Sequence, residues 1–319
     1  MNEQSARPIG RPLGKFEDPQ TTANGETRAT VALTNPTTLW FNTGTLCNIE
    51  CKRCYIDSSP TNDALVYLTT EDVVGYLDQI EERSWPVREI AFTGGEPFMN
   101  PEMCAMARAS LERGFEVLIL TNAMLPMMRK RVQSDLLALH TEYPGKLTLR
   151  ISLDHHLAEN HDEERGTGTF NVTLKGMRWL RDNNVRMAVA GRTIWGDTDA
   201  ASRRGYRDLF AREGFDIDAD DPAMTVLFPE MDDAAEVPEI TTACWDILGK
   251  SPDAIMCASS RMVVKRRDAD APSVLSCTLL AYDPQFEMGA TLEEAEAPVS
   301  LNHPHCSKFC VLGGASCSA

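Results

Sequence analysis

Ile90-Ala91-Phe92-Thr93-Gly94-Gly95-Glu96-Pro97-Phe98 is an apolar run that stops on two glycines, an acid and a proline. It reads as a buried strand feeding a tight loop. Paired glycines let the backbone turn sharply and approach a ligand closely, and Pro97 has no N–H to continue a ladder. Most Gly-Gly turns are ordinary loops, but the carboxylate between the glycines and the proline sets this one apart. Outward from it the pattern repeats. Short apolar runs at Thr38 to Asn42, Glu89 to Thr93, Glu116 to Thr121, Leu147 to Leu153, Val185 to Thr193 and Met224 to Phe228 alternate with amphipathic stretches. The helix candidates are Thr70 to Arg83, Pro101 to Arg113, Pro126 to His140, Phe170 to Asn183 and Ala201 to Glu213. Thr69-Thr70-Glu71-Asp72 and Asn100-Pro101-Glu102 read as helix starts, a capping side chain followed by acids or proline. Such alternation predicts β-α units around parallel strands, and six units are too few for a closed eight-fold barrel.

In this architecture ligands bind at the carboxyl ends of the strands. After the first strand comes Leu46-Cys47-Asn48-Ile49-Glu50-Cys51-Lys52-Arg53-Cys54-Tyr55, which supplies three thiolates to one centre and no fourth. An iron-sulfur cluster normally takes four cysteines, so three leave one iron open to a small molecule. The blander readings are a zinc site, or buried thiols and disulfides. Zinc needs a fourth ligand nearby, and no His or Cys lies between Cys54 and Cys104. Thr121-Asn122, Ser152, Asp154 and Ile194-Trp195-Gly196-Asp197 close later strands, so independent strands deliver polar groups to one rim.

The cysteine spacing and the Gly94-Gly95-Glu96-Pro97 loop together resemble the radical S-adenosylmethionine enzymes. The resemblance covers roughly residues 38 to 230. It implies that Cys47, Cys51 and Cys54 bind a 4Fe-4S cluster whose open iron is chelated by S-adenosylmethionine. It further implies that Gly94, Gly95, Glu96 and Pro97 contact the cofactor's amino group, and that Thr121, Asn122 and Ser152 line its methionine and ribose. Arg165 resembles an arginine that pairs with the cofactor's carboxylate, and Ile194 and Gly196 a motif that packs on adenine. The residue before the third cysteine is commonly aromatic in this family; here it is Arg53, which leaves Tyr55 as the stacking group. Strand-end turns and a surface salt bridge are the plain alternatives for Thr121, Asn122, Ser152 and Arg165. His155 and His156, adjacent on an extended segment, are expected to point apart and not to share one ion.

The C-terminal part, from about Thr241, holds six of the ten cysteines. Cys257 and Cys277 resemble the start of the SPASM and Twitch auxiliary-cluster domains, and Cys306 and Cys310 close the set. One auxiliary 4Fe-4S cluster on Cys257, Cys277, Cys306 and Cys310 is expected, with Cys317 competing for the last positions and Cys244 for the first. Cys104, inside a helix candidate, is expected to be an inert buried thiol. The expected fold class is thus α/β, a partial (β/α)6 TIM-like barrel with a small C-terminal cluster-binding domain. The expected division is a mobile segment over 1–35, the barrel over 36–235 and the cysteine-rich domain over 236–319.

Composition bounds the function. With 43% hydrophobic and 24% charged residues over 319 positions, the chain reads as a soluble globular protein. No apolar stretch approaches a membrane span, and the first 35 residues lack a signal-peptide core, so cytoplasm is expected. A net charge of −16 disfavours nucleic acid as partner. Arg203-Arg204 and Lys265-Arg266-Arg267 read as solvated charge runs.

The resemblance implies one-electron reduction of S-adenosylmethionine, by flavodoxin or ferredoxin, to methionine and a 5′-deoxyadenosyl radical that takes hydrogen from a substrate. The leading expectation is a small-molecule substrate, with the auxiliary cluster assisting oxidation or binding. The alternatives are a peptide-modifying maturase and, from another class, a non-catalytic iron-sulfur or zinc-binding protein. The amino-terminal 35 residues are too short for a leader-binding winged-helix domain, which a partner would then supply. Arg192, Trp195, Asp197, His155 and Glu230 are the candidates to face substrate.

Overall fold

The structure is a computed structural model that describes residues 14–232 and 235–313. Strand β1 (Thr30–Val31) is followed by β2 (Thr38–Asn42), α1 (Thr70–Glu82), β3 (Glu89–Thr93), α2 (Met103–Glu112), β4 (Glu116–Thr121) and α3 (Lys130–Glu142). Next come β5 (Leu147–Ser152), α4 (Ala158–Arg165), α5 (Thr169–Asp182), β6 (Arg186–Arg192), α6 (Asp199–Glu213) and β7 (Thr225–Phe228). The remainder holds α7 (Cys244–Leu248), β8 (Ser260–Val264), β9 (Ser273–Leu275), β10 (Val299–Ser300) and a π-helical turn at Cys306–Leu312. No helix among the described residues is long and apolar enough to cross a membrane.

Eight strands form one sheet in the order β7-β6-β5-β4-β3-β2-β8-β9. Strands β2 to β7 are the six expected from sequence, each parallel to its neighbour. Period-two alternation sorts their side chains. Leu39, Phe41, Ile90, Phe92, Val117, Ile119, Leu149 and Ile151 face the helices in one apolar layer. Trp40, Ala91 and Leu118 face inward, into a smaller cluster with Leu279 and Phe309. Each fully buried Leu, Ile or Phe contributes about 1.5–3 kcal/mol of transfer free energy. Helix α1 starts as read: the Thr69 side chain accepts from Asp72 N while the Asp72 side chain accepts from Thr69 N, a reciprocal cap.

Three features differ from the sequence reading. Helix α4 is unanticipated because Ala-Glu-Asn-His-Asp-Glu-Glu-Arg has no apolar stripe; it is held by buried polar groups, His161 and Glu164. Strand β8 lies parallel to β2, on the side away from β3, and pairs antiparallel with β9, so the cysteine-rich part of the chain extends the barrel's own sheet. The segment read as mobile is tied down from Gly14 onward. Within it, the buried Arg28 pairs with Glu239 at 2.5 Å, and Glu239 also accepts from Phe16 N and Ala23 N. Burial of Arg28 requires such a partner, which lies far along the chain and is invisible to local composition. In the basic runs read as solvated, Arg203 pairs with Asp199, Lys265 with Asp72 and Arg266 with Glu287, each basic side chain partly buried.

Candidate active site

The loop after β3 is built to dock on the loop after β2. Gly94 has φ +142°, a conformation that favours glycine, and a Cβ there would sit 2.6 Å from Gly44 O. A Cβ on Gly95 would meet Leu46 O at 2.3 Å and Thr45 O at 2.6 Å. With both side chains absent, Gly95 N donates to Gly44 O at 2.8 Å and Glu96 N to Leu46 O at 3.1 Å. The backbone leading into Cys47 is thereby fixed against the Gly-Gly-Glu-Pro loop. On its other side, Cys47 N donates to Ser59 O at 3.0 Å.

Glu96 is buried beneath this junction. Its carboxylate accepts from Thr121 Oγ1 at 2.8 Å, Asn122 N at 2.8 Å and Phe98 N at 3.2 Å, which joins the ends of β3 and β4. Burial pushes its pKa up to about 7, although these three donors favour the charged form. Asn122 Nδ2 in turn donates to Asn48 Oδ1 at 2.9 Å, reaching back to the cysteine loop.

Helix α4 supplies the opposite clamp. Arg165 grips Asp154 with both arms of its fork, Nε to Oδ2 at 2.8 Å and Nη2 to Oδ1 at 2.9 Å. Burial opposes the charge on Arg165, but Asp154 outweighs it and holds the guanidinium above its ordinary pKa. Glu164, with a fully buried side chain, pairs with Arg53 of the cysteine loop and with Arg192 Nη1 at 3.3 Å. Arg192 Nη2 also donates to Arg53 O at 3.0 Å, and Lys52 N to Glu164 O at 2.8 Å. The cysteine loop is therefore held on one side by β3's loop and on the other by α4.

These elements line one open cleft. Its polar lining includes Cys47, Cys51, Asn122, Ser152 and Arg165; its apolar lining includes Leu120, Phe228, Met231, Leu279 and Phe309, with Cys54 packed against these apolar residues. Phe228 and Phe309 stack at 5.7 Å, so the π-helical turn contributes to the apolar lining. Burial pushes the Cys47 thiol up to about 12 and raises Cys51, while Arg165 pulls both down. Ser58, also on the cleft, has a buried hydroxyl with no partner, and its N–H donates to Cys54 Sγ at 3.4 Å. Three thiols, a nearby guanidinium and an orphan hydroxyl are a donor set that suits an anionic thiolate-ligated cluster.

Of the residues singled out from sequence, Tyr55, Gly94, Gly95, Thr121, Asn122, Ser152, Arg165 and Arg192 line the cleft with the three cysteines. Glu96 lies behind it, with Pro97 opening the next turn. Ile194 and Glu230 are not among its lining residues; Glu230 pairs with Arg53 at 3.6 Å. Trp195 donates to Glu163 at 3.0 Å and sits edge-on to His155. His155 accepts from Leu157 N at its Nδ1, which leaves Nε2 to donate to Asp197 at 3.0 Å. The two histidines do not point apart: their rings stack at 4.1 Å, because the chain bends at His156 instead of staying extended. Sequence reasoning passed over Glu164 and Asn48, whose partners come from other elements.

The second set of cysteines also converges. Cys306 is close enough to Cys277, Cys310 and Cys257 for each to disfavour its ionisation, and burial holds its pKa far above the ordinary thiol value. All four pack in one apolar cluster with Cys244. Cys244 accepts from Thr241 N at 3.4 Å. Cys317 lies outside the described residues. Cys104 packs against the main core, its pKa pushed by burial to about 12. Among the described residues no group of three or more His, Cys, Asp or Glu is arranged to hold a single metal ion.

The Radical SAM superfamily profile matches residues 41–198. The chain is 33% identical over 171 residues to the antilisterial bacteriocin subtilosin biosynthesis protein AlbA of Bacillus subtilis, covering 52% of this chain and 36% of that protein. It is 29% identical over 155 residues to an AdoMet-dependent heme synthase of Methanosarcina barkeri, covering 47% and 41%. It thus spans roughly two fifths or less of these curated relatives. Among solved structures, SuiB of Streptococcus suis bound to S-adenosylmethionine aligns with a TM-score of 0.59 at 13% identity, over 81% of this chain and 64% of that one. The AdoMet-bound anSMEcpe aligns with a TM-score of 0.57 at 15% identity, over 87% and 83%. At such identities these structures speak to the fold, a partial TIM-like α/β barrel.

Proposed function

The chain carries a radical SAM domain, and from that premise we propose that it is an enzyme that takes hydrogen from a peptide of the bacteriocin-precursor kind. The observation that carries the chemistry is the convergence of Cys47, Cys51, Cys54, Gly94 and Gly95 on one cleft, with Glu96 buried behind it. When bound, a 4Fe-4S cluster and S-adenosylmethionine supply, on one-electron reduction, a 5′-deoxyadenosyl radical able to abstract hydrogen.

The chain's own residues do the rest. Cys47, Cys51 and Cys54 hold the cluster, and Arg165 and Arg192 place positive charge beside its thiolates. Glu96, with Thr121 and Asn122, sets an acceptor at the base of the cleft for the cofactor's ammonium. Asn122, Ser152 and Tyr55 line the space for the remainder of the cofactor. The apolar lining of Phe228, Met231, Leu279 and Phe309 excludes water, which protects a reactive carbon centre and orients an apolar part of the substrate. Cys257, Cys277, Cys306 and Cys310 hold a second 4Fe-4S cluster. Its cradle contains two orphan donors, Arg261 Nη2 and the hydroxyl of the fully buried Ser307.

A peptide is favoured because the 33% identity is to a bacteriocin biosynthesis protein. A small molecule is the second reading, supported by the similarity to heme synthases. Anaerobic reconstitution with dithionite and S-adenosylmethionine tests the enzyme class. 5′-Deoxyadenosine is expected from the parent and not from Cys51→Ala; equal yields from both would refute the reading. Bound iron is expected to fall from about eight to about four per chain when Cys277 and Cys306 become alanine. Deuterium transfer into 5′-deoxyadenosine from a labelled precursor peptide, and none from labelled porphyrins or amino sugars, decides the substrate class.

A further inference from the structure

Every buried arginine raises the question of what balances it. Arg28 has Glu239 and Arg165 has Asp154. Arg261, on β8 next to the β9 edge of the sheet and 1% exposed, has no carboxylate within ion-pair distance among the described residues. Its Nε donates to Ala295 O at 2.8 Å, and its Nη1 to Cys257 O at 2.6 Å and Ser260 O at 2.9 Å. These acceptors are neutral, and Nη2 is buried with no partner. Isolating a charge in the interior costs several kcal/mol, so chains that keep one supply an opposite charge. One of the acceptors of Arg261 belongs to Cys257, a member of the second cysteine set.

We propose that Arg261 is the fixed countercharge of an anionic metal-thiolate centre on Cys257, Cys277, Cys306 and Cys310, raising its reduction potential without ligating it. This rests on the reading of those four cysteines as a second cluster site. The placement suits the task in three ways. The Nη1 bond to Cys257 O ties the guanidinium to the backbone of the first ligand. Strand β8 is paired with β2 at Arg261 itself and with β9 from Met262 onward, which fixes the backbone that carries the guanidinium. The surroundings are apolar, with Ile255, Ala258, Phe286 and Val311 around the cysteines, so the charges interact at low effective dielectric. A cluster gains negative charge on reduction, and a nearby cation favours that state. Arg261 is therefore a positioning and tuning residue.

The test uses the full chain carrying Cys51→Ala, so that iron at the second site is read alone, reconstituted anaerobically without S-adenosylmethionine. Iron content and EPR-monitored redox titration are the readouts. Arg261→Gln is expected to lower the one-electron reduction constant about tenfold, a fall of about 59 mV. Arg261→Lys keeps the charge, loses the fork that bridges the carbonyls, and is expected to stay near the parent potential. A parental potential in Arg261→Gln with iron retained overturns the inference and leaves the cluster reading standing. Equal damage from Gln and Lys also overturns it, since carbonyl bridging and not charge would then be the role. If Arg261→Gln does not fold, Arg261→Lys alone decides, a shift as large as tenfold counting against the inference. Absence of iron from the Cys51→Ala parent itself refutes the second-cluster reading, and the inference with it.

Discussion

Replacing Gly95 by alanine tests whether the junction between the Gly-Gly-Glu-Pro loop and the cysteine loop is as tight as its geometry. The new Cβ would lie 2.3 Å from Leu46 O and 2.6 Å from Thr45 O. Both atoms are backbone, and Thr45 is itself anchored, its N–H donating to Leu65 O at 3.0 Å. Relief requires the loops to part by about 0.7 Å or more, which takes the 3.1 Å bond from Glu96 N to Leu46 O beyond hydrogen-bond range. Overpacking costs about 1–3 kcal/mol and an unsatisfied buried N–H about 1–3 kcal/mol, so a loss of about 2–6 kcal/mol is expected. Gly75 provides the control. It is an exposed glycine inside α1 with nothing within 4 Å of a built Cβ, and alanine there should gain about 0.5–1 kcal/mol from helix propensity. Urea unfolding of the metal-free chain reads both, and iron retained after reconstitution reads the consequence for the site. If Gly95→Ala unfolds within 0.5 kcal/mol of the parent while Gly75→Ala behaves as expected, the loops are not locked as described.

Glu164→Gln leaves Arg53 and Arg192 without their shared carboxylate; a loss of about 2–4 kcal/mol is expected, discounted because Arg53 is partly exposed, and the midpoint in guanidinium chloride checks it. His161 is buried and neutral, its pKa pulled by burial to about 4. Because the folded value is depressed below the unfolded one of about 6.5, stability is full above pH 6.5 and falls by about 3 kcal/mol as pH drops through 4. His161→Gln retains an acceptor for Asp154 N and does not titrate, so its unfolding midpoint should change less between pH 7 and pH 4.5; an unchanged pH slope counts against the assignment. Thr69→Ala removes one half of the reciprocal cap of α1 and should cost about 1 kcal/mol in thermal unfolding, with no change in iron bound.

What was legible in the sequence follows from locality. Strands β2 to β7 announce themselves because parallel strands buried on both faces read as continuous apolar runs ended by glycine or polar residues. The cysteine triad and Gly94 to Pro97 were legible for a similar reason, since their chemistry lies in consecutive residues. Helix α4 was not, because its stability comes from His161 bonding Asp154 N and from Glu164 bonding two distant arginines. Phe309 and Leu279 read as ordinary apolar residues; only the fold brings them to the cleft of the cysteines. Strand β8 looked like the start of an accessory region, and nothing in Arg-Met-Val-Val says which edge it will join.

That edge has a consequence for how the protein is made. Strand β2 leaves the ribosome long before its neighbour β8, with five further strands of the same sheet between them in sequence. Until then one side of β2 presents bare N–H and C=O groups and the inward-facing Trp40 lacks its partner Met262. A nascent chain with an apolar strand open at its edge is a target for mispairing and for chaperones. Parallel closure across so long a separation is also slow. The half-finished barrel is therefore the most vulnerable species in the protein's life, and slowed translation before β8 should lower the yield of soluble chain more than slowed translation after it.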